Sequence, residues 1–381
     1  MNLCLWRPAL IRAIAAGCAG AGLLLAAPPA GAQDVHVTVS VNRDLSKVID
    51  KELDRVMRET LPAIRDGISD ALRDMADGLD DLGTPRARSR QQSGDRRNEQ
   101  TDTSTQPLPI AASGTLDIRV ATGSITITVG TGAPSLQVIK KARGRTDADA
   151  RAAMDRVTVP VETRGGRVHV EPNYRGRSDV DVALVLTVPA GVAVNASTTN
   201  GAISISGIHG DVAARTMNGG ITLTGVPGLT DARTLNGAIT ISDTQSDRAL
   251  AAESMSGAIT FSRVKARRLS ANTSGAVLAD GVECGEASLK AFNGSVTYRG
   301  SLARNGHYEF RTFNGPVHFD PIGSVGFELD ASSYSGSLSV VPPLRLQTNR
   351  TSGHSLTGMV GDGAATVTIV TFNGAVVIGR R

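Results

Sequence analysis

The chain has 381 residues, of which 42 are Gly and only 12 are aromatic (7 Phe, 4 Tyr and 1 Trp). This composition excludes a large aromatic-rich core, a collagen and a wholly disordered chain. Most of the apolar residues are Ala, Val, Ile and Leu, which suit thin, repetitive β layers. The 40 Lys and Arg residues against 36 Asp and Glu residues give a net charge of +4, so nothing favours a nucleic-acid partner.

Residues 1–32 are typical of a secretory signal peptide. Arg7 and Arg12 provide a positively charged start, an apolar run follows, and small residues precede a predicted cleavage after Ala32. We therefore expect an exported protein of the periplasm or cell surface. Two alternatives stay open: a lipoprotein acylated on Cys18, and a retained membrane anchor, although the apolar run is shorter than the roughly 20 residues that a spanning helix needs.

Removal of this leader would leave Cys284 as the single cysteine, so we expect no internal disulfide. A lone cysteine inside a repeat is typical of a small core residue. The alternative, a catalytic nucleophile, lacks a histidine close in sequence.

Residues 33–83 predict a short strand followed by an amphipathic helix. From Asp44 to about Leu82 the apolar residues recur at steps of three and four, which places them on one stripe. Such a stripe needs a partner, which is either the β domain or a second copy of the helix in a short coiled coil. Residues 84–107 are polar and contain several arginines, and they predict a disordered linker or, alternatively, a patch for anionic lipid or polysaccharide.

Residues 108–194 change to a period of two and predict a β layer that caps the segment after it. One short helix is expected within the charged residues 140–156. The predicted strands are residues 115–120, 124–129, 167–171 and 180–188.

Residues 195–381 contain a repeat of about 19 residues, in which an Asn-Gly or Ser-Gly pair precedes an alternating strand. The Asn-Gly pairs are Asn200-Gly201, Asn218-Gly219, Asn236-Gly237, Asn293-Gly294, Asn314-Gly315 and Asn373-Gly374. The Ser-Gly pairs are Ser256-Gly257, Ser274-Gly275, Ser335-Gly336 and Ser352-Gly353. Ten units at this spacing indicate stacked repeats.

The side-chain register within each unit predicts its shape. Counted from the Asn or Ser of the pair, positions −6, −4 and −2 are apolar or small, and positions +3 and +5 are apolar again. Each unit is therefore two short strands with one inward face, joined at a glycine turn. Asn-Gly pairs tolerate positive φ and also mark hairpins, so a sandwich or meander of hairpins is the alternative.

Stacking of such units about 4.8 Å apart would make a continuous core and an Asn/Ser ladder along one edge. We therefore predict an all-β fold. It is a parallel β-solenoid of about ten Asn/Ser-Gly repeats with an N-terminal β cap, preceded by the amphipathic helix and the linker.

Two segments carry a resemblance to a known family. Residues 188–203, VPAGVAVNASTTNGAI, and residues 210–221, GDVAARTMNGGI, resemble the bacterial β-strand-repeat family of unknown function that is labelled putative adhesin. The similarity extends from about Ala111 to Arg381. The resemblance implies an extracytoplasmic β-repeat domain and no established catalytic residues.

One outward column is a candidate contact surface. Position −1 of seven units holds an apolar side chain, and these residues are Met217, Leu235, Met255, Phe292, Phe313, Tyr334 and Phe372. Phe292, Phe313 and Tyr334 come from successive units and would stack into a ridge for sugar rings or a protein partner. The alternative is that these side chains fold over the corner of the turn and are partly buried.

Chemistry-bearing residues form no catalytic pattern. The aspartates of the repeat fall at different places in the unit, the six His show no metal-ligand spacing, and the Ser-Gly pairs lack a nucleophile elbow. A Thr/Ser row at position +4 resembles ice-binding solenoids, but Leu278, His318 and Val377 interrupt it.

We therefore expect no catalytic residue, metal or cofactor. The predicted function is a non-enzymatic, extracytoplasmic adhesin-like or cell-envelope scaffold or binding protein, whose partner is an unknown envelope protein or glycan. The alternative is a polysaccharide-active enzyme on the same solenoid.

Overall fold

The computed structural model describes residues 98–175, 180–341, 344–352 and 354–379. All of them lie in one compact unit, residues 92–381. The predicted signal peptide, the predicted strand and helix of residues 33–83, and residues 84–97 of the predicted linker lie outside the described residues.

The described residues contain one helix, α1 (Asp147–Asp155), and 27 strands. The strands are β1 (Asn98–Pro107), β2 (Thr115–Thr122), β3 (Ile125–Val129), β4 (Ser135–Gly144), β5 (Val157–Thr158), β6 (Val161–Arg164), β7 (Arg167–Val170), β8 (Asn173–Tyr174), β9 (Val180–Val188), β10 (Ala193–Asn200), β11 (Ile203–Ser206), β12 (Val212–Asn218), β13 (Ile221–Thr224), β14 (Leu229–Asn236), β15 (Ile239–Ser242), β16 (Ala249–Ser254), β17 (Ile259–Ser262), β18 (Lys265–Thr273), β19 (Val277–Ala291), β20 (Val296–Asn314), β21 (Val317–Ile322), β22 (Phe327–Ser333), β23 (Leu338–Val340), β24 (Gln347–Ser352), β25 (Ser355–Val360), β26 (Ala365–Asn373) and β27 (Val376–Ile378).

The repeats stack in parallel, as the sequence predicts. We call one strand before a turn, the turn itself and the strand after it a rung. In successive rungs β10 pairs with β12 and β12 with β14, so that Asn200, Asn218 and Asn236 lie in register. The strands after the turn pair in the same way, β11 with β13 and β13 with β15. The prediction of a parallel solenoid is therefore confirmed, and the alternative of a sandwich or meander of hairpins is wrong.

Alternation directs every second side chain of a rung into one core. In the rung of β12 and β13, Val212, Ala214 and Thr216 are buried before the turn and Ile221 and Leu223 after it. The same five positions are buried in the rungs that turn at residues 256–257, 314–315 and 373–374. Stacking thus places like residues over like and makes the core continuous along the domain.

The last rungs do not follow the order of the sequence. β26 pairs with β20 on one side and with β22 on the other, so the final turn of the chain lies between two earlier ones. β25 pairs antiparallel with β22, and β24 pairs antiparallel with β25. The prediction of a repeat at Ser352-Gly353 is therefore wrong, because Ser352 ends a strand of this antiparallel hairpin.

The stack begins earlier than the Asn/Ser-Gly pairs indicate. β2 and β3 pair in parallel with β10 and β11, and they form a rung whose turn contains Gly123. β7 and β9 pair with β2 and β3 on the other side. The first rungs thus lie within residues 108–194, where the sequence predicts a cap. This signal is easily missed because Thr122 stands where other turns carry Asn or Ser.

The N-terminal end of the stack is covered by antiparallel strands and a helix. β4 pairs with β9, and β1 pairs with β4 along ten positions. α1 packs on β4 and β1, and the Thr146 hydroxyl caps it by accepting a hydrogen bond from the Asp149 N–H, so the predicted short helix is confirmed. The prediction of a disordered linker is wrong for Asn98–Pro107, which form the strand β1. Main-chain pairing with β4 holds this polar segment, although its sequence has no apolar alternation.

Candidate contact surface

The predicted ladder of turn side chains forms in two stretches. The Asn218 amide donates to the Asn200 side-chain oxygen at 2.9 Å, and the Asn236 amide donates to Asn218 at 3.0 Å. Ser256 continues the first stretch by donating to Asn236 at 2.9 Å. The second stretch joins Asn293, Asn314, Asn373 and Ser335 in that order. We call these hydrogen-bonded side chains the Asn ladder.

Ser274 separates the two stretches because its turn is one residue shorter. Its N–H donates to the Met255 carbonyl at 3.1 Å, which places Ser274 in the column of position −1 rather than in the Asn ladder. Thr273 accordingly lies in register with Ser254 at position −2.

Glycine is needed in the turns for close packing and not for positive φ. Gly219 and Gly294 are not among the residues with positive φ. A Cβ on Gly219 would overlap the carbonyl oxygen of Gly201 in the preceding rung, and a Cβ on Gly294 would overlap that of Gly275. In hairpins, Asn-Gly pairs are favoured because both residues tolerate positive φ. That reason does not apply to Gly219 and Gly294.

A buried hydroxyl at position −2 donates a hydrogen bond to a glycine carbonyl in the turn of the adjacent rung. Thr216 donates to the Gly201 carbonyl at 3.0 Å, and Thr234 donates to the Gly219 carbonyl at 2.9 Å. The same bond recurs from Thr198, Ser254, Thr273, Thr312, Thr371 and Ser333 to the turn glycine of the adjacent rung. The hydroxyl satisfies an acceptor that would otherwise be buried beside the core.

The column at position −1 is exposed. We call its apolar members the apolar ridge; they are Met217, Leu235, Met255, Phe292, Phe313, Phe372 and Tyr334. Six of them rank among the exposed large apolar side chains, with Tyr334 at 69% of its surface, and Phe313 is half-buried. Apart from Tyr334 and Phe313, these side chains keep 37% to 45% of their surface exposed, so they pack in part over the corner of the turn and are still accessible to a partner.

Four rings of the ridge form a continuous stack, which we call the aromatic ladder. Phe292 and Phe313 have centroids 5.1 Å apart, Phe313 and Phe372 4.9 Å, and Phe372 and Tyr334 4.6 Å. The planes of neighbouring rings differ by 3° to 6°. Phe372 thus lies between Phe313 and Tyr334, which corrects the predicted succession of Phe292, Phe313 and Tyr334.

This geometry decides which part of each ring is available. Rings stacked face to face cover one another's faces, so the ladder presents ring edges along its length. Tyr334 ends the ladder, and in the described part of the chain no ring stacks on its outer face. A partner can therefore contact a row of edges and one open aromatic face.

Charged side chains border five of the seven ridge positions, two residues before each, whereas Val370 and Ser332 stand before Phe372 and Tyr334. This row contains Arg215, Arg233, Glu253, Lys290 and Arg311. Its charges are largely paired: Arg311 lies 2.6 Å and Lys290 3.5 Å from the carboxylate of Glu309. Burial alone would raise the pKa of Glu309, but these two cations and the hydrogen bonds from Ser288 and Lys290 lower it overall. The ridge is thus an apolar strip between the Asn ladder and an ion-paired face.

Six aspartates of the repeat are engaged in ion pairs, and two of them, Asp280 and Asp320, share Arg299. Arginine side chains pair with Asp211, Asp231, Asp243, Asp280, Asp320 and Asp362. The pair of Asp243 is bidentate, and the hydrogen bond from Arg263 lowers the pKa of this carboxyl. Within the described ranges no three side chains of His, Cys, Asp or Glu come together in a metal-binding group.

Cys284 lies in the core beside two tyrosines. Its thiol is 3.7 Å from the Tyr298 hydroxyl, and the Tyr308 hydroxyl donates to the Cys284 carbonyl at 2.5 Å. Burial raises the pKa of the thiol to about 11 and that of Tyr308 to about 12. The side chain is a protonated core residue, as its place in the repeat indicates.

An open cleft of about 410 Å³ lies near this cluster on the outer side of the rungs. Lys265 and Glu283 form an ion pair of 2.7 Å in its wall.

The Thr/Ser row at position +4 also runs along an outer face, in register from Ser204 through Thr222 and Thr240 to Thr260. The described residues include no helix of the length and apolar character that a membrane span requires.

Comparison with known proteins agrees with this architecture. The model of the Toastrack DUF4097 family matches residues 115–378, which run from the rung of β2 to the end of β27. A search of curated proteins finds no match.

Several solved structures are similar over most of their length. A putative cell adhesion protein from Clostridium sporogenes is 9% identical, with 74% of this chain and 100% of that chain covered and a TM-score of 0.21. A putative adhesin from Parabacteroides distasonis is 8% identical, with 73% and 97% covered and a TM-score of 0.38. A putative adhesin from Bacteroides fragilis is 12% identical, with 73% and 96% covered and a TM-score of 0.34. Since the family model matches well over half of the residues, the chain belongs to the Toastrack DUF4097 family.

Proposed function

We propose that the protein is a non-enzymatic, extracytoplasmic binding protein of the cell envelope and that it holds its partner on the apolar ridge. The observation that carries this proposal is the aromatic ladder of Phe292, Phe313, Phe372 and Tyr334. Exposed, contiguous apolar side chains are costly to leave in water and commonly mark a contact surface.

The ladder is held in place before any partner arrives. Each ring is attached to a rung whose main chain is paired on both sides; for Tyr334 the paired strands are β26 and the antiparallel β25. Stacking on its neighbours further restricts each side chain. Binding therefore costs little side-chain entropy, which favours affinity from a small area.

The partner is a glycan or a protein of the envelope. The aromatic ladder is about 14 Å long, since it spans three strand spacings, and the whole ridge from Met217 to Tyr334 spans about 34 Å. Ring edges suit an apolar edge of a protein, and the open face of Tyr334 suits one sugar ring. The location in the envelope rests on the predicted signal peptide of residues 1–32.

A polysaccharide-active enzyme on this scaffold has less support. Such an enzyme needs two carboxylates facing one substrate. The carboxylates of Asp231 and Asp243 instead face Arg215 and Arg263 at 2.6 Å.

A variant with all four ladder residues changed to Ser tests the proposal. The probes are two fractions of the source cell's envelope, purified peptidoglycan sacculi and detergent-extracted membrane proteins. Central aromatic contacts lose upward of about 1 kcal/mol each on truncation, so binding to one fraction should weaken at least about tenfold. The matched control changes Thr222, Thr240 and Thr260 to Ala on another face and should bind normally.

Melting curves show whether the serine variant is folded, and Tyr334→Ser alone provides a second test. Tyr334 is the most exposed ring of the ladder, so its loss should leave folding unchanged and still weaken binding. A folded quadruple variant that binds both fractions as tightly as the unchanged protein contradicts the proposal.

A further inference from the structure

Among the described residues, the strand β1 forms an open edge of the sheet. It pairs with β4 at every one of its ten positions, from Asn98 opposite Gly144 to Pro107 opposite Ser135, without a register shift. No strand in the described ranges pairs with its other edge. Its side chains are exposed, apart from Gln100 and Gln106, which are half-buried.

The direction of each main-chain group of β1 follows from one hydrogen bond. The Leu108 N–H donates to the Pro134 carbonyl at 3.0 Å, in the position that continues the register of β1 and β4. Hydrogen-bonded positions alternate along an antiparallel pair. The even-numbered residues of β1 therefore bond to β4, and the N–H groups of Glu99, Thr101, Thr103 and Thr105 point to the open edge.

This edge lacks the features that usually block pairing. Edge strands are commonly protected by Lys, by Pro or by a bulge. β1 has no Lys or Arg, no bulge, and a Pro only at its last residue, Pro107. Of its two acidic residues, Glu99 is already paired with Arg143 at 3.1 Å.

We propose that β1 pairs antiparallel with β1 of a second copy of this chain, about a two-fold axis at Thr103. Because both faces of β1 are polar and exposed, its partner strand must also be polar on both faces. β1 itself meets this requirement. An alternating strand from another protein would instead leave its apolar face in water.

Charge selects the register of the pair. With Thr103 opposite Thr103 of the second copy, Asp102 lies opposite Ser104 of that copy and Glu99 lies opposite its Pro107. Moving the axis to Asp102 would place two carboxylates directly opposite each other, which is destabilising. The register at Thr103 joins the outward N–H and C=O groups in about eight main-chain hydrogen bonds.

Such an interface has a small area, so the dimer forms at high concentration and dissociates on dilution. Sedimentation of the full chain over a concentration series measures this equilibrium. Thr103→Pro removes an N–H that points away from β4, a place where an edge strand accepts proline. Thr103→Ala keeps the N–H and is the matched control.

We expect Thr103→Ala to dimerise like the unchanged chain, and Thr103→Pro to dimerise at least about tenfold more weakly with an unchanged melting temperature. A chain that stays monomeric at every concentration overturns the proposal. Equal dimerisation of the Pro and Ala variants also overturns it.

Cross-linking tests the register even if Thr103→Pro fails to fold. In the proposed pair the two copies of residue 103 lie about 5.5 Å apart at Cα, whereas the two copies of residue 101 are separated by four residues of strand, about 13 Å. A short thiol-to-thiol cross-linker should therefore join Thr103→Cys dimers much faster than Thr101→Cys dimers. Equal rates for the two variants, or a faster rate for Thr101→Cys, contradict the pairing.

Discussion

The hydroxyl groups at position −2 show how single residues specify the stack. Thr216 is buried, and its hydroxyl donates to the Gly201 carbonyl of the adjacent rung. A small apolar residue would fill the same space but leave that carbonyl without this donor, at a cost of about 1–3 kcal/mol. The Thr or Ser at this position is therefore chosen for its hydrogen bond as well as for its size.

The turn glycines make a second residue-scale requirement, which one pair of variants tests. Gly219→Ala places a Cβ against the main chain of Gly201, whereas the neighbouring Gly220 has more room. Gly219→Ala should lower the free energy of unfolding by about 2 kcal/mol or more. Gly220→Ala should change it by less than about 0.5 kcal/mol. Urea titration measures both, and equal losses would contradict close packing of the turns.

The buried thiol gives the stability a dependence on pH. The pKa of Cys284 is raised to about 11 by burial, so the folded chain keeps its proton after the unfolded chain has lost it. The contribution is complete below the ordinary thiol pKa of about 8.5 and is lost as the pH rises toward 11.

Between pH 8 and pH 10 the unchanged chain should lose about 1–2 kcal/mol more stability than Cys284→Ala. Urea unfolding of both proteins at the two pH values measures the difference. If the two proteins lost stability equally, the thiol would have no such role.

At the scale of elements, the order of the last rungs is the main surprise. The Asn373 amide donates to the Asn314 side chain at 2.8 Å, and Ser335 donates to Asn373. Asn314 and Ser335 are therefore two strand spacings apart, about 9.6 Å.

Paired cysteines test this order. Asn314→Cys with Asn373→Cys should form a disulfide on oxidation, because Cα atoms one strand spacing apart lie within disulfide reach. Asn314→Cys with Ser335→Cys should remain reduced. A stack in sequence order predicts the opposite result, so the two variants distinguish the arrangements directly.

The sequence predicts the structure of a single rung well, but it predicts the order in which the rungs stack less well. Alternation about each Asn-Gly or Ser-Gly pair fixes which side chains face the core, since that pattern depends on a few adjacent residues. The order of the last rungs is not predictable in this way, because the repeat pattern fits the turn at Asn373 equally well between Asn314 and Ser335 or after Ser335. The sequence does not predict β1, because a strand exposed on both faces has no apolar alternation.

The candidate site was predicted in part. Position −1 predicts the residues of the apolar ridge, because alternation directs them away from the core. Whether they fold over the turn depends on the packing of the corner, which the pattern does not contain. The central place of Phe372 follows from the rung order and was missed for the same reason.

At the scale of the molecule, the aromatic residues concentrate in the same rungs inside and outside. Tyr298, Tyr308, Phe310, Phe319 and Phe327 fill the core there, and the aromatic ladder stacks on the outer edge. The earlier rungs carry mainly Ile, Val, Leu and Ala inside, apart from the buried ring of Phe261, and mainly Met and Leu on the ridge. Under the proposed function, the rungs of β20, β26 and β22 are the part of the domain that would hold the partner.

Site-specific photo-cross-linking in living cells tests this central claim most directly. A photoreactive amino acid at position 334, at the end of the aromatic ladder, should capture envelope material as a discrete product. The same residue at position 222, exposed on another face, should capture none or much less. If position 222 captured the same product as strongly as position 334, or if position 334 captured nothing while the protein was folded and exported, the ridge would not be the contact surface.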